Sequence, residues 1–321
     1  MKAIVYTRYG SPDVLRVADV PVPVPKNGEV LVKVRALSLN LSDWEGLRGK
    51  PLYSRVGGLF RPRKHILGSD IAGRVEATGP GATQFHVGDD VFADALSVMG
   101  GFAEYVCVPE NILVRLPEGM SYSDAACLPQ AGAIAWQGIR EKGQVKAGQR
   151  VLINGAGGGS GMLAVQLAKL VGAEVTGVDN GEKLEFMRSL GADHVIDYTR
   201  DDFTRSGQVY DLILDLAAYR SASAYLRTLA PGGRYMCVGG SMKSLLQVLL
   251  IGPLLGRRSG KKIRVLAVRL GAKNVAPLVE LCQAGTIKLH IDRTFPLDEV
   301  PQALRYHGEG HAKGKIVIVV N

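Results

Sequence analysis

The chain has 321 residues, four cysteines, a formal charge of +9, and 46% hydrophobic and 21% charged residues. That length holds about two domains, and those fractions exclude a disordered or fibrous chain. Cys107, Cys127, Cys237 and Cys282 lie far apart with no C-x-x-C pair, which excludes a disulfide framework or a zinc ribbon.

The start, Met1 to Tyr6, reads as a strand rather than a signal peptide, so a cytoplasmic location is expected. Residues 30–35, 72–77, 90–93 and 103–108 read as short strands separated by Gly/Pro turns, a β-rich unit. The run Pro21 to Pro25 suits a rigid extended edge leading into the next strand. From about residue 123, strands at 151–154, 174–178, 194–197, 211–215 and 235–239 alternate with helices at 162–172, 182–190 and 221–229. Alternation of this kind predicts an α/β fold with a doubly wound parallel sheet, covered by helices on both faces and ending in a last strand at 263–268. A helix over 274–284 and a strand over 315–320 then return to the β-rich part. The expected domains are therefore 1–123 with 270–321, and 124–269.

The longest apolar stretch, Leu245 to Leu255, is shorter than the ~20 residues of a membrane span. It reads as a lid or a subunit contact. A peripheral membrane contact is the alternative, because Arg257, Arg258, Lys261 and Lys262 follow it. The remaining basic residues are scattered and lack aromatic interleaving, so no nucleic-acid partner is expected.

One segment carries chemistry. The apolar strand at 151–154 runs into Gly155, Ala156, Gly157, Gly158, Gly159, Ser160 and Gly161, and then into an amphipathic helix. Ala156, Gly158 and Gly161 stand at the offsets of a G/A-x-G-x-x-G dinucleotide turn. Small residues there permit the tight turn, the approach of pyrophosphate, and contact between helix and strand. Asp179 closes the next strand at roughly the 20-residue separation expected for an acid that binds the ribose hydroxyls of NAD.

The order of motifs resembles the medium-chain dehydrogenase/reductase superfamily, and within it the zinc-free quinone oxidoreductase-like branch. The segments that carry this are 67–73, 87–92, 101–105, the glycine turn, 190–198 and Gly314-Lys315. The resemblance implies a Rossmann dinucleotide-binding domain and a GroES-like catalytic domain. In zinc-dependent members a cysteine, a histidine and a second cysteine hold the catalytic metal; the matching positions here are Asn40, Ser69 and Ala131. An amide, a hydroxyl and a methyl do not supply zinc coordination, and His65, His86, Asp70 and Glu104 have no ligand spacing. No zinc is expected.

Without a Lewis acid, oxidation of simple alcohols loses its main stabilisation. Hydride transfer from NAD(P)H to a quinone or an α,β-unsaturated carbonyl remains, with hydrogen-bond donors to stabilise the developing oxygen charge. The resemblance points to Asn40 against nicotinamide and substrate, and Tyr53 is a candidate proton donor or pocket wall. Asp43 is expected to tie its loop through backbone hydrogen bonds, and Trp44 to shape an apolar pocket or pack in the core. By resemblance Ala217, Ala218, Val238, Gly239 and Gly240 flank the nicotinamide, and Lys315 belongs with the cofactor residues. Ile134 stands where relatives carry a threonine that bonds the carboxamide. Asp179 argues for NAD(H), whereas Lys183 and Tyr198 fall where NADPH-dependent relatives contact phosphate and Asn180 offers a further donor; NADP(H) is favoured. The resemblance also implies a homodimer pairing through 263–268. Two other functions stay open: a nucleotide-binding sensory or structural protein, and a zinc-free alcohol or aldehyde oxidoreductase.

Overall fold

The computed structural model describes residues 1–55, 58–269 and 274–321. The chain divides into two compact units, one built from 1–130, 274–283 and 291–321, the other from 131–269 and 284–290.

The first unit is organised on one long strand, Glu29–Ser38. Val30, Val32 and Val34 recur with period two and point to one face, where they meet Ile71, Val75, Val91, Val106, Ile316 and Ile318 in a buried core. The sheet runs in the order Ile291–Pro296, Lys315–Val319, Glu29–Ser38, Asp70–Thr78, Asp90–Asp94, Leu113–Arg115, with Tyr105–Pro109 also paired to the long strand. Its pairs are antiparallel except the first. The register Val317 to Ser38 brings the terminal strand alongside the start of the helix Leu41–Arg48. Lys2–Val5 and Arg16–Asp19 form a separate hairpin. Pro21 to Pro25 joins no strand, since three of its five residues lack an N–H to donate.

The second unit carries a six-stranded, all-parallel sheet in the order His194–Asp197, Glu174–Asp179, Arg150–Asn154, Tyr210–Asp215, Leu229–Cys237, Lys262–Val265. Its middle strands are apolar without alternation: Val151, Leu152, Ile153, Leu212, Ile213 and Leu214 are all fully buried, as a sheet covered on both faces requires. Tyr225 and Tyr235 stack with centroids 4.1 Å apart inside this core.

Several expected boundaries move. The helix Tyr122–Ala126 stays with the first unit, because the Ser38 hydroxyl donates to the Ala126 carbonyl (2.7 Å) and Asp70 accepts from the Gln130 N–H (3.2 Å). Residues 284–290 join the second unit: the Gln166 amide exchanges two hydrogen bonds with the Lys288 backbone, and Phe186 meets His290 at 4.8 Å. The expected boundary at 270 lies outside the described residues. The strand expected at 235–239 starts earlier, at Leu229. The one expected at 263–268 ends at Val265, after which the Ala267 and Arg269 backbone bonds to Lys142 and Gln137 instead. The apolar run at 245–255 folds as two helices, Met242–Leu250 and Gly252–Ser259, broken at Gly252-Pro253.

Candidate functional site

In the second unit the glycine turn forms a cradle. Gly155 has φ +85°, a left-handed conformation, and its N–H and that of Ala156 donate to the Val178 carbonyl at 2.8 and 3.1 Å. Gly161 opens onto backbone: a Cβ there would lie 2.1 Å from the Gly155 oxygen and 2.6 Å from the Ala156 Cα. The helix Gly159–Leu170 therefore starts in contact with the turn, and its first-turn N–H groups form an anion site beside Gly158, where added bulk would meet only the Gly155 oxygen, at 3.5 Å. With Gly155, Gly158 and Gly159 lacking Cβ atoms and Ala156 fully buried, the turn fits a pyrophosphate.

The four residues assigned to the ribose end come together. Asp179 and Lys183 are buried, with the ammonium 3.3 Å from Asp179 Oδ1. Asp179 Oδ2 accepts the Gly157 N–H at 3.0 Å, and Oδ1 accepts the Asn180 N–H at 2.9 Å. The Tyr198 N–H donates to the Asp179 carbonyl at 3.1 Å, while its ring is exposed. Asp179 thus braces the glycine turn, with its charge compensated by Lys183.

At the neighbouring strand ends the Ala218 N–H donates to the Gly239 carbonyl (2.8 Å), Val238 donates to Asp215 (2.8 Å), and Ala218 and Gly240 form a bridge. Buried Asp215 ties this corner, accepting from Asn154 Nδ2 (2.7 Å), the Ala217 N–H (3.1 Å) and the Tyr235 hydroxyl (2.8 Å). Burial pushes its carboxyl above the usual range. Ile134, on the helix Pro129–Trp136, is half-buried and brings no hydroxyl.

The first unit holds a buried polar cluster at two of the expected zinc positions. Asn40 Nδ2 donates to Ser69 Oγ at 3.0 Å, and Asn40 Oδ1 accepts the Lys315 ammonium at 2.7 Å. Lys315 also donates to the Leu39 carbonyl (3.0 Å) and lies 3.6 Å from Asp70 Oδ2. Its side chain is 2% exposed. Asp43 accepts from the Asn40 N–H (2.9 Å), the Gly68 N–H (3.2 Å) and the Ser69 hydroxyl (3.2 Å). It braces the loop and is not presented as a base. Burial pushes the carboxyls of Asp43 and Asp94 up to about 7, and Asp70 next to Asp94 adds to the effect. The Asp70 carboxyl is also raised by burial, a shift opposed by Lys315.

This donor set does not fit zinc. It offers amide and hydroxyl oxygen where nitrogen and sulfur are needed, Ala131 has no donor atom, and an ammonium already occupies the Asn40 oxygen. No group of three or more His, Cys, Asp or Glu that could hold a metal occurs among the described residues.

Beside this cluster the first unit contains a cavity of about 540 Å³. Tyr6, Tyr9, Tyr53, Leu67, Leu96 and Met99 supply its apolar and aromatic wall, with Ser42, Glu45, Arg63 and Lys64 as polar members. Tyr53 lines it from the turn Leu52–Arg55, and its hydroxyl is 3.0 Å from both oxygens of Glu45. Burial pushes the Glu45 carboxyl up to about 7. Trp44 packs against the core of the unit, its indole filling the space over Gly308. Glu45 escapes sequence reasoning: a carboxylate on a short amphipathic helix reads as solvent-facing, and only the turn at 52–55 encloses it.

Residues 26–118 match the alcohol dehydrogenase GroES-like domain, and residues 190–318 match the zinc-binding dehydrogenase model. The chain is 33% identical to the chloroplast envelope quinone oxidoreductase homolog of Arabidopsis thaliana, over 99% of this chain and 98% of that one. It is 31% identical to an NADPH-dependent alkenal/one oxidoreductase of the same plant, over 99% of this chain and 79% of the relative. Among solved structures, the quinone oxidoreductase from Coxiella burnetii superimposes with a TM-score of 0.89 at 28% identity, covering 100% of this chain and 99% of the other.

Proposed function

This chain belongs to the medium-chain dehydrogenase/reductase superfamily, in its quinone oxidoreductase-like branch, and from that premise we infer that it is an NAD(P)H-dependent oxidoreductase of quinones or α,β-unsaturated carbonyls. The observation that carries the zinc-independent form of this reading is the Lys315 ammonium on Asn40, at a position where a metal ligand would stand. A bound nicotinamide supplies hydride. The backbone of Gly155 to Gly161 would hold the pyrophosphate, Asp179, Asn180, Lys183 and Tyr198 the ribose end, and Ala217, Ala218, Val238, Gly239 and Gly240 the nicotinamide end.

The protein's own work is to orient the acceptor and stabilise its oxygen. Lys315 binds Asn40 Oδ1 and Ser69 accepts one amide N–H, so the second N–H is the donor left for the acceptor oxygen. A donor of this kind contributes ~10²–10³ in rate. The aromatic cavity with Tyr53 and Glu45 at its wall fits a planar conjugated carbonyl.

Lys183 neutralises Asp179, removing the repulsion that would otherwise reject a 2′-phosphate, which supports NADPH as the preferred form. The proposed assembly is a cytoplasmic homodimer. Lys262–Val265 is the outer strand of its sheet, and Leu246, Leu249, Leu250 and Leu254 on the adjoining helices are exposed, a surface suited to a second copy. Among the described residues no helix is long and apolar enough to cross a membrane, so any membrane contact would be peripheral.

Oxidation of NADH and NADPH against a panel of quinones and enals, with and without chelator, tests this reading. Turnover of at least one acceptor, unchanged by chelator, is the expected result. Activity abolished by chelator and restored by zinc would overturn the zinc-independent chemistry, and no turnover of any acceptor would overturn the function.

A further inference from the structure

We propose that Glu45 is the proton reservoir for enone reduction and acts through Tyr53, whose hydroxyl it holds at the cavity wall. The proposal rests on the enone-reducing reading above and adds to it the source of the proton.

The geometry is a short relay. The helix Leu41–Arg48 presents Glu45 to the cavity, and the Ser54 hydroxyl, donating to the Glu45 carbonyl at 3.0 Å, pins the turn that carries Tyr53 against it. Tyr53 lies 3.0 Å from each Glu45 oxygen, and both residues line the same space. With Glu45 ionised, the phenol proton is spent on the carboxylate. With Glu45 protonated, the hydrogen bond reverses: the carboxyl donates to the phenol oxygen, and the tyrosine proton is released toward the cavity.

The chemistry balances through this pair. Hydride addition at the β-carbon forms a C–H bond and moves the π electrons onto the carbonyl oxygen. The resulting enolate takes the Tyr53 proton, and the phenolate takes the Glu45 proton, so no phenolate persists beside a carboxylate. Solvent returns one proton to Glu45. One enone, one NAD(P)H and one proton give one saturated carbonyl and NAD(P)⁺.

Other titratable groups face the pair from each neighbouring segment. Tyr6 and Tyr9 approach from the segment after the strand Lys2–Val5, and Arg63 and Lys64 from the segment before Leu67. Burial raises the Tyr6 hydroxyl above its ordinary range, with Tyr9 and Asp43 adding to it, so Tyr6 stays neutral. The Lys64 ammonium donates to the Ser97 carbonyl, and Arg55 lies over the Tyr9 ring at 4.9 Å. Burial is the cause that raises Glu45, and the hydrogen bond from Tyr53 opposes it.

The test compares enone with quinone. A quinone accepts hydride to give a stabilised phenolate-type oxyanion that solvent protonates readily, whereas a simple enolate is a strong base that needs a positioned acid. Glu45→Gln should therefore lower kcat for an enone on the order of 10-fold more than it lowers kcat for a quinone. Wild-type enone kcat should fall as pH rises through about 7, where Glu45 loses its proton, and E45Q should lack that limb. Tyr53→Phe, which breaks the relay at its other member, should lose the same limb. An E45Q or Y53F profile superimposable on wild type would overturn the proposal. Independently of turnover, ¹³C NMR of the Glu45 carboxyl should titrate near 7 in wild type and higher still in Y53F, which removes the hydrogen bond that opposes the shift. A wild-type midpoint near the ordinary value of about 4.3 would overturn it. Loss of all enone and quinone turnover in the wild type would count against the oxidoreductase reading itself, while the NMR titration would still judge Glu45.

Discussion

Lys315→Met removes the one cation of the buried cluster while keeping the length of the side chain. The ammonium serves Asn40 Oδ1 at 2.7 Å, the Leu39 carbonyl at 3.0 Å and Asp70 at 3.6 Å, with 2% of its side chain exposed. Removing one member of such a pair leaves a buried charge uncompensated, at ~3–5 kcal/mol. That is a large part of the ~5–15 kcal/mol of a typical domain, and corresponds to roughly 6–20 °C in Tm for a unit of this size. The loss has a defined pH dependence. Without Lys315 the folded Asp70 carboxyl rises further above its unfolded value of about 3.9, so the folded state binds the extra proton. The charge-dependent part of the penalty is absent while Asp70 is protonated in both proteins and grows by up to ~1.4 kcal/mol per pH unit between the wild-type folded value, itself raised by burial, and the higher value of the variant. The lost hydrogen bonds to Asn40 and Leu39 add a part that does not vary with pH. Urea unfolding at pH 5 and pH 8 measures it. Asp70→Asn in the K315M background should recover at least half of the loss at pH 8. A cost below ~1 kcal/mol at pH 8, or one equal at both pH values, would refute the assignment of Lys315 as the counter-charge of this cluster.

Two further outcomes follow from the second unit. Gly161→Ala places its Cβ 2.1 Å from the Gly155 oxygen and 2.6 Å from the Ala156 Cα, both backbone atoms that cannot rotate away. The helix must withdraw from the turn, costing ~1–3 kcal/mol and weakening NADPH binding about 10-fold or more, as read by calorimetric titration; unchanged affinity would contradict the cradle described here. Asp179→Ser frees Lys183 for a 2′-phosphate and should raise the NADPH-to-NADH ratio of kcat/KM about tenfold, roughly 1.4 kcal/mol. An unchanged ratio would remove Asp179 and Lys183 as selectors.

The alternation of strands and helices was legible because a covered parallel sheet needs unbroken apolar strands, and Val151–Ile153 and Leu212–Leu214 advertise that directly. The strand ends were less so. Leu229 extends its strand through Pro231 and two glycines, residues that read as a turn. Asn40 and Ser69 could be paired through the family resemblance, and their side chains do meet at 3.0 Å. What joins them to Lys315, 275 residues from Asn40, is a register between distant strands, Val317 on Ser38, and no local pattern encodes it. The same holds for Asp43, Asp70 and Asp94. Asp43 reads as a brace of its own loop, and its burial together with Asp70 and Asp94 shows only once the fold closes over all three.

The Lys315 contact also sets an order of events during synthesis. Asp70, Asp43 and Gln130 are all made early, and the second unit is made next. The ammonium that neutralises the cluster comes from the strand Lys315–Val319, made after all the others described. At 5–20 residues per second the interval from Gln130 to Lys315 is roughly 10–40 s. Throughout it the nascent first unit holds its carboxyls without their counter-ion and its long strand Glu29–Ser38 without the neighbour that covers one edge. The unit that holds the aromatic cavity is therefore completed only after the whole of the parallel sheet has been made.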